Sequence, residues 1–210
     1  MFELLSRGGP VMWVISLISL IGLTVFLERF FHYHRAQIQH EDFLQGVFNV
    51  LTTGNRLEAI TLCDDTPGPV AKIMRAALLK MDDGPEQMNL AITQAGLQEI
   101  PRLERRLPLL ATLGAIAPML GLLGTFHGLM KGLDVFTQKA PLVLTSDLSS
   151  GLWIALLTSA FGLGVAIAAT AGYNFLLTRV NSILLDMEKC TQEFFLRLEQ
   201  DRLFPAKENR

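Results

Sequence analysis

The sequence predicts an all-α integral membrane protein in which three transmembrane helices extend into a cytoplasmic helical bundle, with the N-terminus periplasmic and the C-terminus cytoplasmic. Three observations predict it: three apolar runs without Asp, Glu, Lys or Arg, basic residues gathered on one side of them, and helical periodicity between them.

The runs are Val11 to Leu27, Leu107 to Met130 and Leu148 to Thr178, against the roughly 20 residues needed to cross a hydrocarbon core. The first ends in Glu28, Arg29, Phe30 and Phe31 rather than at a small-residue cleavage site, so it reads as a permanent span. With residues 28–106 and 179–210 on one side, that side holds fifteen of the eighteen Lys and Arg residues, which makes it cytoplasmic. The resulting division is a periplasmic N-terminus (1–8), first span (9–31), cytoplasmic insert (32–106), second span (107–131), periplasmic loop (132–147), third span (148–178) and cytoplasmic C-terminal helix and tail (179–210).

The insert reads as helix throughout. Phe43, Leu44, Val47, Phe48 and Leu51 recur at helical spacing and stop at Thr53-Gly54, and Asn55 with Glu58 marks the next start, which runs to about Asp65. Thr66-Pro67-Gly68-Pro69 is a break; Val70, Ile73, Met74, Ala77, Leu78 and Met81 mark another helix, and after Asp82-Asp83-Gly84-Pro85 a last one leads through Pro101 to the second span. Beyond the third span, Val180, Ile183, Leu184, Met187, Phe194 and Leu198 form one apolar stripe, so the span is expected to continue as an amphipathic helix. From Leu148 to Leu203 that helix would measure roughly 80 Å, and it needs a partner face, either the insert or further copies of the chain.

Composition narrows the function. Half the chain is apolar and its formal net charge is −2, which gives no electrostatic footprint for nucleic acid. Cys63 and Cys190 fit no zinc or redox spacing and read as packing residues; there is no nucleotide-binding loop, metal-ligand cluster or nucleophile beside a base, so neither an enzyme nor a cofactor is expected. A permease for a small solute fares poorly too, because the spans offer little chemistry for recognising one.

The second span is distinctive. Gly114, Pro118, Gly121, Thr125 and Gly128 recur every three or four residues and share one face, which a neighbouring backbone can approach closely. Gly124 adds to that face, and the row opposite it on the third span is Ala155, Ser159, Gly162, Ala166 and Ala169. Pro118 is expected to kink the span and free a carbonyl for Thr112 or a neighbour. Glu28 and Arg29 are expected to pair at the inner boundary, with Trp13 and Trp153 as interfacial anchors.

Two motifs carry a family resemblance. Ala117-Pro118-Met119-Leu120-Gly121-Leu122-Leu123-Gly124-Thr125 resembles the second-span signature of the MotA/TolQ/ExbB proton-channel family, and the stretch from Gly151 to Leu163, GLWIALLTSAFGL, resembles its third-span signature. Gly9-Pro10, Glu28-Arg29, Pro67-Gly68-Pro69 and Tyr173-Asn174 occur in the expected order, and three spans are closer to the ExbB and TolQ branch than to four-span flagellar stators. The resemblance implies a multi-pass subunit of a bacterial inner-membrane motor. Five copies would enclose a pore holding the single membrane helices of two ExbD- or TolR-like partners, whose Asp takes up and releases the proton. It also implies that Thr125 and Ser159, with Thr158 beside the latter, line the ion pathway.

The residues themselves agree with that division of labour. Neither the second nor the third span contains a carboxylate or Lys, so apart from His127 they hold no group that changes charge near neutral pH. Hydroxyls can only steady a charge or a water brought by another protein. By distance from the span ends, Thr125 and Ser159 fall at similar depth, about 9 to 12 Å from the outer boundary. A lone membrane hydroxyl more often bonds its own helix or glues two spans together; that role and the pathway are the alternatives, and the resemblance favours the pathway. Two departures stand out: Ile154 where many relatives carry Glu, and Ala168 where the pattern has Pro. His127 reads as a packed neutral ring near the outer interface rather than as a proton relay, with external pH sensing as a further reading. The competing function is a non-conducting helical membrane scaffold.

Overall fold

The computed structural model describes residues 8–36, 40–139 and 145–200, and among them every regular element is helical. The α-helices are α1 (Gly9–Ala36), α2 (His40–Thr52), α3 (Arg56–Asp65), α4 (Pro69–Leu79), α5 (Pro85–Glu104), α6 (Leu107–Lys139) and α7 (Thr145–Gln200), with a 3-10 turn at Met81–Asp83. Three of them, α1, α6 and α7, contain the stretches long and apolar enough to cross a membrane. Among the described residues, the expected all-α fold with three membrane-capable helices is what forms.

Local chemistry explains the boundaries. Asn55 stands at the N-cap of α3 and its amide donates to the Glu58 carboxylate at 2.8 Å, which joins the two residues that mark this start in the sequence. Gly68 and Gly84 adopt φ of 130° and 95°, a region open to glycine, and each is followed by a proline that begins α4 or α5. Arg106, between α5 and α6, has φ of 73°, a left-handed conformation that costs a non-glycine residue on the order of 1 kcal/mol.

The chain forms two compact units. One comprises Met1–Arg29 and Arg106–Leu176, the other Phe30–Arg105 and Leu177–Arg210.

In the first unit, α1 packs through Gly22, whose position faces Leu110 and Leu113 of α6, and through Phe26, which lies against Gly172 and Phe175 of α7. Met12, Ile15, Leu110, Ala117 and Leu176 are fully or nearly fully buried, whereas Leu17, Leu20, Leu122, Leu123, Leu156 and Ile167 are exposed, as suits helices whose outer faces meet lipid. Ala168, the departure from the family Pro, lines an apolar cleft of about 450 Å³ together with Ile18, Gly22, Leu113 and Gly172. The expected Glu28–Arg29 pair does not form. Glu28 pairs with Arg106 instead, while Arg29 is buried, because adjacent helical residues point about 100° apart and cannot share one partner geometry. Thr112 likewise donates to Leu109 O at 2.8 Å and not to the Gly114 carbonyl that Pro118 leaves without its helical donor.

The second unit is a helical cluster around Leu44, Val47, Met74, Leu78, Met88, Phe194 and Leu198. Its predicted α7 stripe is confirmed at Val180, Ile183, Met187, Phe194 and Leu198, all buried. Phe194 meets Phe48 of α2 with ring centroids 5.4 Å apart, and Arg197, held by Glu193 at 2.5 Å, lies 5.0 Å from the centre of the Phe48 ring. Tyr33 donates to Leu103 O at 2.5 Å, satisfying one of the carbonyls left open at the end of α5.

Cys63 and Cys190 are buried free thiols in this unit. Burial, with Asp64 adding repulsion, pushes Cys63 up to about 12, and burial, with Asp186 and Glu193 adding to it, pushes Cys190 up to about 11. Both thiols are therefore neutral at physiological pH and expected to resist maleimide until the protein unfolds. The unfolded thiols ionise near 9, so stability is expected to be flat below that value and to fall as pH rises toward 11 and 12. Thermal unfolding of wild type and Cys63→Ala across pH 7 to 11 checks this, with the double Cys-to-Ala variant showing the shallower loss.

Candidate functional site

The two motif-bearing helices meet backbone to backbone. A Cβ placed on Gly128 would stand 2.7 Å from Ala155 N and Gly151 O, and one on Gly162 would stand 2.8 Å from Ala117 O and Gly121 Cα. A Cβ on Gly124 would collide with the Thr158 side chain, and one on Gly121 would reach Ser159 Cα at 3.3 Å and Gly162 Cα at 3.4 Å. As the residue number rises on α6 the partner number falls on α7, so the helices are antiparallel and share one glycine-lined seam. Gly114 extends it to Ala169 and Thr170.

Thr158 is the side chain that fills this seam. It is fully buried, and its hydroxyl donates to Ile154 O at 2.9 Å and Ala155 O at 3.1 Å. Thr125 and Ser159 each follow a member of the facing pair Gly124 and Thr158. In two antiparallel right-handed helices, one step along each rotates both side chains by about 100° toward the same side of the seam and separates them by about 3 Å along it. Thr125 and Ser159 therefore stand together on one flank, both half-buried. Pro118 and Ala166, each seven residues from one of these hydroxyls, continue that flank and are also half-buried. The Thr125 hydroxyl donates to Leu122 O at 2.6 Å. His127 stands about 200° round α6 from Thr125, exposed, with its ring near Gly9 at the start of α1.

Some of the packing was not anticipated. Gly132 and Gly151 make one of the tightest contacts: a Cβ on Gly151 would lie 2.6 Å from Gly128 O and 2.7 Å from Gly132 Cα. The four-residue step from Gly124 through Gly128 to Gly132 is the signal that reveals them. Ala155 lies in the seam as expected, while Ala166 is not among the nearest atoms to any of these glycines. Ile154, one of the two departures that the resemblance raised, is buried. Trp13 and Trp153 are both exposed, as interfacial anchors would be. Among the described residues no group of His, Cys, Asp and Glu is arranged to hold a metal ion.

The family model of the MotA/TolQ/ExbB proton channel family matches residues 65–189, the stretch that contains both motifs and the whole seam. The chain belongs to this family. Relatives place it on the ExbB and TolQ branch. It is 28% identical over 184 residues to the putative biopolymer transport protein ExbB homolog of Methanothermobacter thermautotrophicus, covering 85% of this chain and 63% of that one. It is 30% identical to the putative biopolymer transport protein ExbB-like 1 of Synechocystis sp., covering 82% and 68%, and 37% identical over 107 residues to the Tol-Pal system protein TolQ of Haemophilus influenzae, covering 51% and 45%. The aligned part thus spans less than two thirds of the first and third of these relatives. Family membership and three membrane-capable helices make this chain a multi-pass inner-membrane protein.

Proposed function

We propose that this chain is the stator-like subunit of a machine driven by proton motive force. Five copies form a sleeve around two single-span partners of the ExbD or TolR kind, with the long insert and C-terminal helix cytoplasmic and the N-terminus periplasmic. The partner's membrane carboxylate takes up and releases the proton, and Thr125 and Ser159 steady that charge and the water beside it. Thr158 serves the pathway from within the seam, by fixing the spacing of the helices on which the other two hydroxyls stand.

The observation that carries this reading is the shared flank of Thr125 and Ser159 on a helix pair that, His127 apart, holds no group that changes charge near neutral pH between Leu107 and Met130 or between Leu148 and Thr178. Such a pair offers hydrogen-bond donors without a charge of its own, so a carboxylate must come from a partner. The scaffold reading is favoured by one fact: Thr125 and Thr158 both donate to carbonyls of their own helices, as packing hydroxyls do.

Proton uptake by vesicles containing the chain and its partner separates the two. Thr125→Val and Ser159→Ala are expected each to slow uptake by about tenfold, the loss of one hydrogen bond to a charged group, while leaving assembly size unchanged. Wild-type uptake in the double variant would return both hydroxyls to packing, and uptake by the unaltered chain no greater than that of vesicles holding the partner alone would leave the scaffold.

A further inference from the structure

The second unit carries a cationic cleft that no part of the channel reading uses. A hollow of about 280 Å³ is lined by His32, Pro67, Gly68, Lys72, Glu99 and Arg102, among others. A second of about 280 Å³ adjoins it through the shared residues Lys72, Glu99 and Arg102 and adds Arg75. The walls therefore present three permanent cations, with His32 beside them, against a single carboxylate. Glu99 lies at the centre, its side chain 10% exposed, with Oε2 2.9 Å from Lys72 Nζ and Oε1 2.5 Å from Arg102. Its role explains how like charges are held together: one buried carboxylate bridges two cations that would otherwise repel.

The bridge leaves both cations underused. Lys72 spends one of three ammonium donors on Glu99, and Arg102 directs one nitrogen of its five-donor fork there; their side chains remain 51% and 65% exposed. Arg75 pairs at 2.5 Å with Asp64, which is not a wall residue. Cations spread around a hollow call for an anion whose oxygens point in more than one plane. A phosphate group meets that need better than a second carboxylate, because it offers guanidinium and ammonium donors a tetrahedral set of oxygens where a carboxylate offers two in one plane. Along the chain, His32 follows the first apolar run by five residues and Arg102 precedes the second by five, so a phosphate carried by a lipid or free in solution has the same chemistry to meet.

We infer that this cleft binds a phosphate-bearing anion through Lys72, Arg75 and Arg102, with Glu99 as the internal counter-charge that holds the cations in place and moderates their affinity. The inference predicts opposite signs for neighbouring substitutions. Losing a cation weakens capture, whereas Glu99→Gln, which keeps the shape and one of the two acceptor oxygens but removes the competing charge, strengthens it.

Phosphorus NMR on the full chain in maltoside micelles tests this, with inorganic phosphate and short-chain phosphatidylglycerol as the two probes and short-chain phosphatidylcholine as the control. Lys72→Gln and Arg102→Gln are expected to weaken binding at least about fivefold, and Glu99→Gln to tighten it about threefold, effects in the range of single charge-pair changes. Lys72→Arg keeps the charge and is expected to retain binding. Broadening of phosphatidylglycerol alone assigns the site to a lipid headgroup, and broadening of inorganic phosphate assigns it to a soluble anion. The inference is overturned if neither probe broadens, if broadening survives both cation variants, or if Glu99→Gln weakens binding as they do, since that last pattern marks a purely structural network.

Discussion

Gly128→Ala is expected to break the pairing of α6 with α7, a large effect for a single methyl group. The new Cβ would meet Ala155 N and Gly151 O at 2.7 Å, and both are backbone atoms that no rotamer change can move aside. Restoring ordinary contact requires opening the seam by roughly 0.7 Å, enough to forfeit a quarter to a half of the dispersion attraction across it. In lipid, where burial of apolar surface gives helices no net reason to associate, that attraction is most of what holds them. The cost is about 3 kcal/mol, at the upper end for overpacking. Gly164 provides the matched control, because a Cβ there meets nothing within 4 Å, so Gly164→Ala is expected to match wild type or gain up to about 1 kcal/mol from helix propensity. The midpoint of SDS-induced unfolding in mixed micelles measures both. Equal midpoints for the two variants would show that the helices are not joined through this seam.

Phe194→Ala is expected to be the most damaging truncation in the second unit. The ring is fully buried and packs on Phe48, itself covered by Arg197. Removing it takes away the transfer free energy of the ring and leaves a cavity that a helix contact fills only in part, a loss of about 3 to 5 kcal/mol. Phe194→Leu keeps most of the volume and is expected to cost less than half as much. Hydrogen exchange read by mass spectrometry should show the loss of protection in α2 and in the part of α7 beyond Leu177. Unchanged exchange there would mean that these two helices do not depend on each other.

Much of this was legible in the sequence because helical periodicity is a property of single segments. The spacing of Phe43 to Leu51, the Asn55 and Glu58 start, the breaks at Gly68 and Gly84 and the stripe from Val180 to Leu198 all reappear as elements or buried faces. The small-residue face of the second span is likewise a local pattern, and most of it becomes the seam. What one segment cannot specify is its partner. Glu28 finds Arg106, seventy-eight residues away, rather than its neighbour Arg29, and Thr112 turns to Leu109. Thr158 was read together with Ser159, yet a single step of rotation puts one in the helix contact and the other on its flank. That difference depends on which residue of α6 lies opposite, and no periodicity within α7 contains it.

The glycine seam has a mechanical consequence. Where two helices touch through main-chain atoms and one buried threonine, Thr158, whose hydroxyl is bonded to its own helix, no long side chains lie between them that could swap rotamers, so the contact has no alternative packing of similar energy to switch into. The pair should behave as one stiff strut. In the proposed assembly, any compliance needed for a moving part would then reside where strut meets strut, in contacts that bulky, rotatable and exposed residues such as Leu122, Phe126 and Leu156 are free to make.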